Sequence, residues 1–145
     1  MEKAETPVPP EPKINYRAVA ISIVALQILG AIYYSPLTLG PLWMSGVGKT
    51  MAQLQQNGLR PYGISLIGSA AMVYILARLF LRTHTSGAWH SMTLGFTLWL
   101  GFVLPLTAIH SYFSASSKTV LCIDSGHALL ALLLSSFILG RWTRT

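Results

Sequence analysis

Apolar residues run almost unbroken through four stretches of this chain, 18–34, 62–81, 88–109 and 120–142, and polar residues crowd into the ends and the connections. Each stretch is apolar all round and lacks the polar face of a surface helix, which predicts helices buried in lipid. The third covers about 22 residues, or roughly 33 Å at 1.5 Å per helical residue, against a hydrocarbon core of roughly 30 Å. A helix satisfies its backbone groups internally, as lipid demands. The pattern predicts an all-α fold, a polytopic membrane protein with four transmembrane helices in one bundle spanning residues 17–145.

The connections carry their own signals. Pro36, Gly40, Pro41, Gly46 and Gly48 break the chain after the first stretch, and 49–57 reads as a short amphipathic helix at the interface. Residues 83–87 form a tight link that makes the second and third spans antiparallel neighbours, and 114–118 is a second short turn. Pro105 predicts a kink in the third span that frees a carbonyl near Gly101. Ahead of the first span, 1–16 reads as a disordered, proline-rich cytoplasmic tail with Pro7, Pro9, Pro10, Pro12 and three acids, Glu2, Glu5 and Glu11. A cleaved signal peptide is the rival reading of the first span. No small-x-small cleavage site follows it, and Tyr33-Tyr34-Ser35-Pro36 resembles an interfacial helix end.

Composition agrees. Charged residues make up 10% of the chain and mean hydropathy is +0.55, whereas soluble domains carry about 25% charged residues. The net charge of +6 is dispersed at the ends of apolar stretches, so it reads as membrane orientation, and no nucleic-acid partner is expected. With four spans, Lys3, Lys13, Arg17, Arg78, Arg82, Arg141 and Arg144 share one face; Lys49, Arg60 and Lys118 share the other. That asymmetry predicts both termini in the cytoplasm. Arg78 sits near a span end, where its head can snorkel to the headgroups. Tyr33, Tyr34, Tyr62, Trp89, Tyr112 and Trp142 fall near segment ends as an aromatic belt does. Cys122 is the only cysteine, which excludes an intrachain disulfide.

Several pieces resemble a known family. They are Tyr33-Tyr34-Ser35-Pro36-Leu37 leading to Gly40-Pro41-Leu42-Trp43-Met44, Leu94-Gly95-Phe96 with Leu98-Trp99-Leu100-Gly101-Phe102-Val103, and Ile123-Asp124-Ser125-Gly126-His127 with Ile138-Leu139-Gly140-Arg141-Trp142. In order they resemble the signatures of the domain of unknown function 1761 family of small four-helix membrane proteins. The resemblance implies a four-span fold and no established chemistry. It departs from the family where Asp124 replaces a frequent Asn, and where 113–118 replaces a Phe-Glu-Gly-Arg-like turn.

The candidate chemistry is sparse. Gly46-Val47-Gly48-Lys49-Thr50 mimics the end of a P-loop, but Trp43 stands where the first glycine belongs and no strand precedes it. Asp124 is the only acid outside the tail, and His127 follows it by about one helical turn. His110 closes the third span on the same side. Asp124, His127 and His110 therefore form a candidate polar, proton-exchanging or substrate site. The plainer reading has Asp124 cap the fourth helix and His127 bond within the bundle. The same histidines open a metal or haem reading, but no cofactor, metal or catalytic residue is assigned. Thr97 with Gly101, Ser136 with Gly140, and Gly63, Gly68, Ser69, Ala70 and Ala71 are small residues suited to close helix packing, within the bundle or in a homo-oligomer. Trp99 and Met72 read as packing or lipid-facing residues.

The expected function is that of an integral membrane protein, leaning away from an enzyme, that permeates a small solute or ion. The alternatives are an assembly subunit or homo-oligomeric scaffold, with a membrane protein partner or a second copy, and a metal- or haem-binding enzyme. The lipid bilayer is the one partner the pattern requires.

Overall fold

A computed structural model describes residues 13–142; the expected proline-rich tail lies, up to residue 12, outside the described residues. The elements are α1 (Tyr16–Tyr33), α2 (Gly40–Val47), α3 (Met51–Gln55), α4 (Arg60–Arg82), α5 (Ala88–Leu98), a π-helical turn (Trp99–Val103), α6 (Leu104–Phe113) and α7 (Lys118–Trp142). The described residues contain no strand. Four helical segments, Tyr16–Tyr33, Arg60–Arg82, Ala88–Phe113 and Lys118–Trp142, are long and apolar enough to cross a membrane. The protein is all-α and polytopic.

Helix starts follow local chemistry. Asn15 caps α1, its side chain accepting from the backbone N–H groups of Arg17 at 3.1 Å and Ala18 at 3.2 Å, which contributes about 1 kcal/mol. Pro41 and Pro61 occupy the first turns of α2 and α4, where a missing N–H costs nothing. The P-loop-like stretch is two helix caps in sequence. Gly48 ends α2 at φ 70°, and Thr50 starts α3 in a capping box with Gln53.

The fourth span is the centre of the bundle. α7 packs on α1 and α5 and also touches α2, α4 and α6, while α1 packs on α4. Contrary to the expectation from the sequence, the link at 83–87 does not make α4 and α5 packed neighbours: α5 lies on α7, and α4 lies on α1. The reason is side-chain size. Gly95 of α5 faces Ser136 of α7, and Gly140 of α7 faces Ser91 of α5, so an added Cβ at either glycine would collide with the opposing serine. Without a hydrophobic drive in lipid, close approach between small residues selects the helix pairs. Ser91, Ser135 and Ser136 are fully buried there. Gly63, Gly68 and Gly101 face open space and take no part in the seam.

The apolar interior is built from Ala18, Val19 and Leu26 of α1, Val73, Leu76, Ala77 and Phe80 of α4, and Ala131, Leu132 and Leu139 of α7. Gln27 clasps α1 to α4, donating to Ser69 Oγ at 3.0 Å. The third span is peripheral, with 6% of its apolar window buried against 33% for the fourth. Just ahead of Pro105 the third span forms the π turn. The Leu104 N–H reaches back to the Trp99 carbonyl, one residue further than in an α-helix.

Candidate functional site

The first link after α1 doubles back on itself. The Thr38 hydroxyl bonds the carbonyls of Ile32 and Tyr33 (the latter at 2.9 Å), closing the end of α1, and the Gly40 N–H bonds the Ser35 carbonyl at 3.2 Å. A Cβ on Gly40 would lie 2.5 Å from the Tyr34 carbonyl oxygen, so this turn requires glycine. The reversal brings α2 against the start of α7, where Gly46 sits on Ser117 and Val120. It also lays the Trp43 ring beside that of Tyr34, with centroids 5.6 Å apart.

Three consecutive residues of α7 each accept a hydrogen bond from an aromatic donor of the surrounding elements. The Tyr33 hydroxyl donates to the Ile123 carbonyl at 3.0 Å. The Tyr34 hydroxyl and Trp43 Nε1 both donate to Asp124 Oδ1, each at 2.9 Å. Trp99 Nε1, carried on the π turn, donates to the Ser125 carbonyl at 2.9 Å. One carboxylate oxygen has the lone pairs to accept both bonds. His127 lies under the same rings, 5.2 Å from Tyr33 and 5.1 Å from Tyr34 by centroid. Its Nε2 is buried without a hydrogen-bond partner, against Gly30. Gly126 leaves room for the Tyr33 hydroxyl, which a Cβ there would approach to 2.9 Å.

The structure thus brings Asp124 and His127 together through Tyr34 and leaves His110 out. His110 is exposed on α6. Among the described residues no three His, Cys, Asp or Glu side chains gather for a metal. Asp124 is not a helix cap. α7 starts at Lys118, Ser117 Oγ accepts from the Val120 N–H at 3.3 Å, and Asp124 lies in the helix interior. The helix begins at Lys118, two residues ahead of the apolar run, because Ser117 caps it there. Tyr33 and Tyr34 do not serve a lipid-facing belt; both turn inward, whereas Tyr62, Trp89 and Tyr112 are exposed at span ends.

Beside this collar lies a cavity of ≈ 560 Å³ between the first link, α2, α3 and the start of α4, within the range of about 300–1,000 Å³ usual for small-molecule sites. Tyr34, Trp43 and Tyr62 supply its aromatic wall, Met44 and Met51 its thioethers, and Gln55 and Asn57 its amides. Among the described residues no charged side chain lines it. His84 and His90 line a separate cavity of ≈ 700 Å³ at the opposite end.

Fold and site together define a polytopic helical membrane protein with an aromatic collar around the one acid among its described residues. The pattern of the family described as Protein of unknown function (DUF1761) matches residues 17–140, and the chain belongs to that family. No curated protein and no solved structure matches the chain. The separate signature pieces meet in space: Tyr33, Tyr34, Trp43, Trp99, Asp124 and His127 all belong to the collar. Sequence reasoning took the tyrosines for interfacial anchors and Trp99 for packing. The signal that they act together was their presence in one ordered set of signatures.

Proposed function

We propose that this membrane protein binds and admits a small organic cation at the face opposite its termini. The observation that carries the reading is that Tyr34 and Trp43 line the neutral, aromatic cavity and also hold Asp124. Aromatic faces attract a desolvated ammonium, and the nearby carboxylate supplies the opposite charge without exposing itself in the lining. The partnerless His127 Nε2 adds a second polar group on the same side of α7. With both termini in the cytoplasm, as the lysine and arginine distribution favours, the cavity opens outward. His110 has no part in this reading.

The test uses benzyltrimethylammonium as probe, titrated against the tryptophan emission of the full chain in micelles, with neutral benzyl alcohol as comparison. The cation is expected to give a saturable change that disappears in Trp43→Phe and weakens on the order of tenfold in Asp124→Asn. Asn keeps an oxygen for both donors, so only the charge is lost. Equal saturation by benzyl alcohol, or an unchanged curve in Asp124→Asn, would sink the reading. Uptake of the same cation into proteoliposomes tests permeation, and flux unchanged in Asp124→Ala and His127→Ala would remove it.

One observation favours the second reading, an assembly role. Residues 61–68 of α4 are all exposed, and Gly63 and Gly68 leave flat ground for another helix. A homo-oligomer in mild detergent that is lost on Gly63→Leu or Gly68→Leu would support it.

A further inference from the structure

The opposite end of the bundle carries a different surface. Where the start of α1 meets the end of α4, a cleft of ≈ 940 Å³ is lined by Lys13, Tyr16, Arg78, Arg82 and His84, with Ile14 and Leu81 at its apolar edge. Arg78 and Arg82 are one turn apart on α4, so their like charges lie on one face and repel. Among the described residues no carboxylate lines the cleft. Asp124, the only acid among the described residues, is bonded to Tyr34 and Trp43 at the far end of α1. Three permanent cations therefore converge with no opposing charge among the described residues, at the ends of two helices long and apolar enough to cross a membrane.

That position has a chemical consequence. Helices of this length and apolarity, set across a bilayer, bring the start of α1 and the end of α4 to the headgroups, where the densest anion is lipid phosphate. Guanidinium groups bind phosphate oxygens in a bidentate fork, and a lysine adds a point charge. Apolar side chains at the edge and Tyr16 at the rim suit the boundary between headgroup and acyl chain. We propose that this cleft seats a phosphate group, and that its source is the headgroup of an anionic lipid. Such a lipid would tie the start of α1 to the end of α4, which otherwise meet around a cationic gap.

The experiment follows the thermal unfolding midpoint of the full chain in nonionic detergent against added phosphatidylglycerol, phosphatidylcholine and, at matched ionic strength, inorganic phosphate. Phosphatidylglycerol is expected to raise the midpoint saturably. The double variant Arg78→Gln/Arg82→Gln should need on the order of tenfold more lipid, since each cation near an anionic headgroup contributes to binding. Lys49→Gln/Lys118→Gln removes equal charge from the other face and should leave the titration unchanged. Lys13→Gln, ahead of α1, probes the same cleft without altering a helix and should shift the titration in the same direction. Phosphatidylcholine acting as well as phosphatidylglycerol, or equal losses in the two double variants, would overturn the proposal. A saturable response to inorganic phosphate equal to that of the lipid would overturn the lipid source and assign the site to free phosphate.

Discussion

Asp124 shows how far one residue can be read. As the only acid outside the tail it stood out in the sequence, but its partners Tyr34 and Trp43 lie 90 and 81 positions away. No local rule connects such distances. The cap reading fails because Ser117 takes the cap and α7 begins at Lys118, which leaves Asp124 inside the helix. Each donor to Asp124 should contribute modestly, since hydrogen bonds between membrane helices average about 0.6 kcal/mol. Tyr34→Phe and Trp43→Phe are each expected to destabilise by roughly 0.5–1.5 kcal/mol. Combined with Asp124→Leu their effects should fall short of additivity. Thermal unfolding of the singles and doubles in one detergent checks this; full additivity would mean that neither donor is coupled to the carboxylate.

At the scale of elements, the four long helices were legible, but α2, which forms over Gly40–Val47 where glycines and prolines read as a break, was not, nor was the pairing. Long apolar runs announce the four long helices, and Pro105 marks where the third is disturbed. The pairing of α5 with α7 depends on Ser91, Gly95, Ser136 and Gly140 falling in register across two helices, a match that neither segment reveals alone. Gly95→Leu and Gly140→Leu drive a side chain into an opposing serine and should destabilise by about 2 kcal/mol or more, the cost of overpacking a close seam. Gly101→Leu is the matched control, because Gly101 faces open space. Protease resistance in micelles should fall for the first two and hold for the third; equal sensitivity of all three would mean that glycine content, and not the seam, sets stability.

For the whole molecule, the start of α1 and the end of α7 fall at one end of the bundle: the start of α1 meets the end of α4, and Ser91 near the start of α5 meets Gly140 near the end of α7. The two ends then differ chemically, with a cationic cleft at one and a neutral aromatic cavity beside an acid at the other. Cys122, exposed and about one turn into α7, marks the second end. A membrane-impermeant thiol reagent is expected to label it from outside sealed cells and not from the cytoplasmic side of inverted vesicles. The reverse pattern would place the termini outside and turn the cavity toward the cytoplasm.

The amino-acid sequence by itself determined the class, the helices and the family, because burial in lipid imposes a length and an apolar composition that local residues display. It also singled out Asp124, since a lone acid in an apolar chain is conspicuous wherever it points. Only the tertiary structure decided that α7 is central, that His110 stands apart, and that tyrosines and tryptophans from three other elements close around residues 123–127. Those outcomes depend on which small residues align across helices and on a reversal that requires glycine at position 40. They are properties of pairs and of turns, and no single stretch of the chain contains them.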